Sequence, residues 1–401
     1  MSAKRFSRNS RWMALVGAVA LVASGCATEK AAGGGADGPV KVGVITSTSG
    51  LLSGYGKQFT EGFEAGIDYA TDGTGEVDGR KLDIAFRDDA TDPAKATSAA
   101  TGLIGDGYKI ITGPVSSGVA VQVAPLAEQN NVLFISGAAA ADAITGINKN
   151  TFRSGRQTYQ DVVTSQSIVG DLKGKKVVVF AQDYEFGQAN VAAVTAVLGD
   201  AGGAKVVPVL SPIDTSDFTP FARQAVDEKP DLVFVAWAGE TTNAMWKTLD
   251  QQGVFDNTSV VTGLADQATF DDFGPAATEI EFLSHYFAGA SKSPANTALI
   301  KSLEADGIKA DIFHNDGFVA AQMVVQAVKE GGGDDVPAMI EALEGWKFTG
   351  PKGEQTIRAE DHAMLQPMFQ ARLVKSGESV VPELVDTLSP ETVAPPAVAA
   401  K

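Results

Sequence analysis

Apolar strand-like runs and helical segments take turns along most of this chain, in two successive series. Val40 to Thr46 is strand-like, and Phe59, Phe63 and Ile67 follow it at helical spacing. Leu82, Ile84 and Phe86 then alternate as a half-buried strand. Asp92 before Pro93 reads as an N-cap with proline at the first helical position, opening a helix that runs to Asp106. A strand at Lys109–Thr112, a helix across Val119–Gln129 and a strand at Val132–Ile135 complete the first series.

The second series has strands at Lys176–Ala181, Ala204–Leu210, Asp231–Trp237 and Ser259–Thr262, with helices near 187–200, 217–228 and 241–252. Glu281–Phe287 reads as a further strand, helices follow near 294–306, 316–330 and 335–345, and Met368–Val374 is a late strand. From Val381 onward Pro and Ala accumulate, which predicts a frayed end. Such alternation requires parallel βαβ units and excludes all-β and all-α architectures. Two series of similar size predict two lobes, and 401 residues suit more than one domain. Open α/β sheets bind ligands outside the carboxyl ends of their strands, so a cleft between the lobes is the expected site.

The first 26 residues are of another kind. Lys4, Arg5, Arg8 and Arg11 precede a 12-residue apolar run, Trp12–Ala23, and Ala23-Ser24-Gly25 puts small residues before Cys26. A basic start, a short apolar stretch and a small-residue cleavage site describe a secretory signal peptide over 1–25. The run is shorter than the ~20 residues that span a bilayer. Ala-Ser-Gly-Cys resembles the lipobox of bacterial lipoproteins, with Ala23 where that pattern more often has leucine. The resemblance implies a diacylated Cys26 followed by a flexible tether over 26–39. More than one acyl chain gives lasting attachment. The expected location is the extracytoplasmic face of the cell membrane, reached through the lipid anchor alone.

Charge and residue counts remove several classes of function. Lys and Arg total 32 against 49 Asp and Glu, a net −17; without the four basic residues of the signal, 28 against 49 leaves −21. A nucleic-acid partner held by a basic face is excluded. One cysteine rules out an intramolecular disulfide, and His285, His314 and His362, far apart, leave little for a metal site. No metal and no cofactor is expected. The loop Gly50–Lys57 has the wrong glycine spacing for a phosphate loop, and Gln58 stands where Ser or Thr would meet magnesium. No G-x-S-x-G, Ser-x-x-Lys or His-Glu-x-x-His occurs, so an enzyme is not expected. Asp88-Asp89 and Asp271-Asp272 read as solvated loop charges, and His314 and Asp316 as the start of a helix.

Three loops that follow strands do carry chemistry. Thr48–Gly56, Gly113–Gly118 and Ile135–Ala140 combine small hydroxyl residues with glycine where helices start. Such loops aim hydroxyls and backbone N–H groups at an anion, or the serines merely cap the helices. Three together on one lobe favour a carboxylate cradle.

At this point a family resemblance enters. VKVGVITSTSGLLSGYGKQFTEGFEAGIDYA, GRKLDIAFRDDATDPAKATSAATGLI, IITGPVSSGVAVQVAPLAEQNNVLFIS, NTFRSGRQTYQD, DYEFGQ and FTGPKGEQTIRAEDHAMLQPMF resemble the branched-chain amino-acid substrate-binding proteins of ABC importers. That family implies an α/β, two-lobed type I periplasmic-binding-protein fold, each lobe a mainly parallel sheet flanked by helices, with three crossovers near 157, 286 and 358. The implied lobes are 40–157 with 286–357 and 158–285 with 358–389, leaving 390–401 as a tail. The resemblance also assigns a ligand carboxylate to Ser117 and to the loop of Ala138 and Ala140, where Ala140 replaces a threonine. Ser116 lies in the same cradle, and Tyr55 lines the pocket from the first loop. On the second lobe it points to Phe186, Trp237 and Glu240, and to Asp266 as the acid for a ligand ammonium; Tyr159 either lines the cleft or packs a hinge.

A zwitterion withdrawn from water needs both charges paired, so donors on one lobe and an acid on the other would make the ligand the bridge that closes the cleft. The expected function is a monomeric receptor that carries an amino acid or related small carboxylate or amide to an ABC permease. The alternatives are a sensory receptor of the same fold and, further off, a surface-anchored hydrolase.

Overall fold

The computed structural model describes residues 38–399 apart from Asn257, Glu279 and Glu378. The signal-like segment, Cys26 and the tether up to residue 37 lie outside the described residues. The first lobe is built on a six-stranded sheet in the order Glu76–Val77, Arg80–Asp88, Val40–Thr46, Ile110–Gly113, Leu133–Ser136 and Thr151–Arg153. All pairings are parallel except that of Glu76–Val77. Strand alternation buries both faces. Val42, Val44, Ile110 and Leu133 pack under the helices Ser53–Ala70 and Ile312–Gly331, while Ile45, Ile111 and Phe134 pack under Pro93–Gly105 and Ser117–Gln129.

The two central helices of this lobe touch backbone to backbone because glycines line their contact. A Cβ on Gly62 would stand 2.1 Å from the His314 carbonyl oxygen, and one on Gly317 would stand 2.1 Å from that of Phe59. Ile312–Gly331 begins four residues before the periodicity predicts, because Asp311 caps it and the Asp311 N–H donates to His314 Nδ1 at 3.0 Å. Asp92 caps its helix as expected, accepting from the N–H groups of Ala94 and Lys95.

The second lobe has seven strands in the order Ser379–Leu388, Met368–Ser376, Glu281–Ser284, Ser259–Gly263, Leu232–Ala236, Lys176–Asp183 and Lys205–Pro212. The first two run antiparallel and the other five are parallel. Its two faces are again separate cores, one around Phe180, Val235 and Phe282, the other around Val179, Phe234 and Val261. In each sheet the chain reverses its direction of winding beside one strand, Val40–Thr46 or Lys176–Asp183, where ligands find a crevice.

Three segments cross between the lobes. The first follows Thr151–Arg153 into a helix at Thr158–Val169 packed on the second sheet, and the second runs from Glu281–Ser284 to the helix Pro294–Ala305. The third falls later than the expected position near 358. Met364–Leu365 still pairs with Gly353–Ile357 in a small sheet whose Phe348, Ile357 and Met364 join the first lobe's core, so the crossing is at Gln366–Pro367.

The C-terminus is also not frayed. Ser379–Leu388 is a strand, Val393 is buried, and the chain then docks on Arg358 and Asp361. Arg358 Nη1 donates to the Pro395 carbonyl at 2.8 Å and the Val398 N–H donates to Asp361 Oδ2 at 3.0 Å. An ion pair supplies the partners that a Pro- and Ala-rich backbone cannot supply for itself.

Gly317→Ala tests the helix contact. Forcing a methyl into it is expected to destabilise the fold by about 1–3 kcal/mol, read as a lower urea midpoint; an unchanged midpoint would show that the helices part freely.

Candidate ligand-binding site

The loops at the carboxyl ends of both sheets face one another around a cavity of about 960 Å³, its open mouth included. From the first lobe come Leu52 and Tyr55 after the first strand, Ser117 after Ile110–Gly113, and Ala138 and Ala140 after Leu133–Ser136. From the second come Tyr184 and Phe186 after Lys176–Asp183, Trp237 and Ala238 after Leu232–Ala236, and Leu264 and Ala265 after Ser259–Gly263. Arg156, Asp161 and His285 belong to the crossings and their flanks. Strand ends, not sequence neighbours, therefore assemble the site.

Six residues singled out in the sequence line this cavity: Tyr55, Ser117, Ala138, Ala140, Phe186 and Trp237. Four do not. Ser116 is buried at the N-cap position of its helix, and Glu240 is exposed. Tyr159 packs against the Val162 and Val179 core, with its N–H donating to Asp142 Oδ1 at 3.1 Å. Asp266 is buried and acts on Tyr55 and Asp311 through its charge, while Ala265 occupies the wall.

The cradle expected around Ser117 is closed on itself. Its Oγ accepts from the N–H groups of Ala140 and Ala141, both at 3.2 Å. The charge comes instead from Arg156, which donates through Nε to Asp161 Oδ2 at 3.2 Å and through Nη1 to the Ala138 carbonyl at 3.2 Å. Among the described residues nothing accepts from its Nη2. Arg153, fully buried beneath, braces the same loop by donating to the carbonyls of Ala139, Ala141 and Arg156. The remaining wall is aromatic. Tyr55 lies 4.3 Å from Phe313 between centroids, and Trp237 stacks on Phe180 at 5.5 Å while its Nε1 donates to Thr241 Oγ1 at 3.0 Å.

Arg156, Asp161, Tyr184, His285 and Phe313 escaped the sequence reading. Arg156 sits in NTFRSGRQTYQD, and its signal is a cation directly after a strand end. The strand that places it, Thr151–Arg153, has three residues and is too short to show a period. Burial, followed by the positive charges of Arg156 and Lys352, holds His285 well below its ordinary value, so its ring is neutral at pH 7. Burial raises Asp161 against the pull of Arg156.

The lobes are shut over this cavity. The Gln267 N–H of the second lobe donates to Asp311 Oδ2 of the first at 2.8 Å, and its Nε2 donates to the Ala310 carbonyl at 2.9 Å. Gly239, at φ +86°, meets the first loop so closely that a Cβ would stand 2.6 Å from the Leu51 carbonyl oxygen. Its N–H reaches the Tyr55 hydroxyl at 3.5 Å.

The sequence pattern of the periplasmic binding proteins matches residues 39–378. The chain belongs to that family. A Leu/Ile/Val-binding protein of Rhizobium johnstonii is 26% identical over 77% of this chain and 84% of its own. A crystal structure from Rhodopseudomonas palustris, described as an ABC-type branched-chain amino acid transporter, is 31% identical with a TM-score of 0.72, over 88% of this chain and 97% of that one. A second, a solute-binding protein of an ABC transporter from the same species in complex with 3,4-dihydroxybenzoic acid, is 25% identical with a TM-score of 0.77, over the same shares. The family is one of binding proteins, and no helix among the described residues is long and apolar enough to cross a membrane.

In this periplasmic binding protein Gly239 meets the other lobe with no room for a side chain, so it is the position to disturb. Gly239→Ala adds a clash and about 1–3 kcal/mol of backbone strain. Small-angle scattering is expected to show a larger radius of gyration than for the wild-type protein; equal radii would mean that the lobes close without this contact.

Proposed function

We propose that this protein is an extracytoplasmic, non-catalytic receptor that closes on a small carboxylate and delivers it to an ABC permease. The observation that carries this reading is Arg156, a guanidinium in an aromatic-walled cavity between two lobes, with one nitrogen unused by the protein. A buried cation beside apolar rings binds an anionic group well, because little water competes for it. The Leu/Ile/Val-binding relatives and the dihydroxybenzoate complex support a carboxylate of modest size.

The geometry favours an aromatic acid over an α-amino acid. An ammonium needs an acid of its own, and the one acid among the lining residues, Asp161, would have to share its carboxylate with Arg156, which already holds Oδ2. The flat walls of Tyr55, Phe186 and Trp237 suit a ring.

Calorimetry on residues 27–401 against benzoate, 4-hydroxybenzoate, 3,4-dihydroxybenzoate, leucine, valine and phenylalanine tests this reading. Heat is expected with the benzoates, from protein unfolded and refolded to strip retained ligand, and the ligand should be recovered chemically intact. Arg156→Met is expected to weaken binding by about 2–5 kcal/mol, the range for losing one partner of a buried charge pair. Binding of leucine without any benzoate would transfer the site to zwitterions. We place the anchor at Cys26 and the working state as a monomer. Cys26→Ser is expected to move the protein from the membrane fraction to the soluble exported fraction, and retention in the membrane would remove the lipid.

A further inference from the structure

We infer that Asp316 is a positioning residue for the carboxylate: when the ligand binds beside Arg156, Asp316 takes up one proton and donates it to His285. This rests on the carboxylate reading above. Behind the cavity the three crossings converge, contributing Arg156, His285 and Gln366. Asp316 projects among them from the Ile312–Gly331 helix and is wholly buried. Its Oδ1 accepts from Asn315 Nδ2 at 2.7 Å. Its Oδ2 has no hydrogen-bond partner and stands 3.6 Å from His285 Nε2, which has none either. Gly155 closes the other side, since a Cβ there would lie 3.2 Å from Asp316 Oδ2. The His285 ring hydrogen-bonds the Ile312 backbone, which leaves its proton on Nδ1 and makes Nε2 an acceptor. Two buried acceptors without partners, facing one another, are one proton short of a hydrogen bond.

The charges around them explain why a ligand would supply that proton's motive. Lys352 is buried with neutral partners, Gln366 Oε1 at 3.0 Å and Met368 Sδ at 3.6 Å. Arg156, Lys352 and Arg153 act on Asp316, which the neutral His285 ring also faces; Asp316, Asp161 and Arg156 act on Lys352; and Asp142 acts on Asp161. With all ionised, Arg153, Arg156 and Lys352 balance Asp142, Asp161 and Asp316. A bound carboxylate adds a negative charge that no water screens, and a proton on Asp316 restores neutrality. Two groups of the set titrate near neutrality, since burial raises Asp316 to about 6 and lowers Lys352 to about 7. Geometry assigns the proton to Asp316, whose unpartnered Oδ2 faces an acceptor, whereas Lys352 already donates to Gln366. His285, neutral through burial, is available to accept.

The sign follows. The ligand's charge raises Asp316 further, so the bound form carries more protons than the free form above its ligand-free value near 6. Affinity is then flat below that pH and falls as pH rises, by at most about tenfold per unit for one proton. Benzoate itself stays ionised throughout, its acid titrating near the ordinary carboxylic range of about 4.

The test is calorimetry of the purified protein with benzoate and 3,4-dihydroxybenzoate, in phosphate and in Tris, whose ionisation heats differ, and across pH. Expected are heats that differ between buffers in the sense of proton uptake, and a dissociation constant that rises with pH. Asp316→Asn imitates the protonated acid and should bind with an affinity that no longer changes with pH. Buffer-independent heats, or equal uptake in Asp316→Asn, overturn the proposal. No heat with the aromatic acids or with leucine, valine and phenylalanine overturns the carboxylate reading and the linkage together, whereas heat without proton uptake overturns the linkage alone. Should Asp316→Asn not fold, difference infrared spectra decide: benzoate must produce a protonated-carboxyl band in the wild-type protein, and its absence overturns the proposal.

Discussion

Arg153 is fully buried, and the backbone carbonyls of Ala139, Ala141 and Arg156 together with the Thr145 hydroxyl accept from its Nη1 and Nη2. A guanidinium without these partners would be too costly to bury, so the loop after Leu133–Ser136 and the first crossing cannot move apart independently. That coupling places Arg156, which reaches Ala138 from one lobe and Asp161 from the start of the helix in the other. The site is rigid on the first lobe because of this buried cation, and the second lobe closes against it.

Closure uses a different chemistry from the hinge. The contacts across the mouth are few, the Gly239 N–H to the Tyr55 hydroxyl and Gln267 to the Asp311 carboxylate and the Ala310 carbonyl. The hinge is polar and buried. Gln366 links Lys352 to Gln160, whose Nε2 donates to the Met364 carbonyl at 3.1 Å, so the first and third crossings share a network. Below them the C-terminal segment returns to Arg358 and Asp361, adding a further tie between the lobes beside the crossings. A molecule arranged this way has a firm pivot and a lightly held mouth, which suits a receptor that must release what it captures.

The architecture was largely legible because its signals are local and repeated. The Val40–Thr46 strand and the Asp92-Pro93 start stand where the pattern puts them, since apolar alternation and capping act over a few residues. What was illegible depends on long-range partners. The segment after residue 389 looks like tail until Arg358 and Asp361 hold its backbone, and Arg156 looks like any surface arginine until Asp161 and Ala138 enclose it. Glu240 and Asp266 show the converse: a loop can be right while the side chain turns elsewhere, because one residue of register decides which of Ala265 and Asp266 faces the cavity.

The overall acidity of the chain, −17 by formal count, does not oppose an anionic ligand. Surface charges act through water and salt and fade over a Debye length of about 8–10 Å. Inside the closed cleft the nearest charges are Arg156, Asp161 and the Asp316–Lys352 pair, all shielded from solvent. A carboxylate arriving there meets a local field set by six side chains of opposed sign, and Asp316 is the member of that set with an unpartnered oxygen to carry a proton towards an acceptor. Selectivity for the ligand's charge therefore resides in the hinge as much as in the wall it touches.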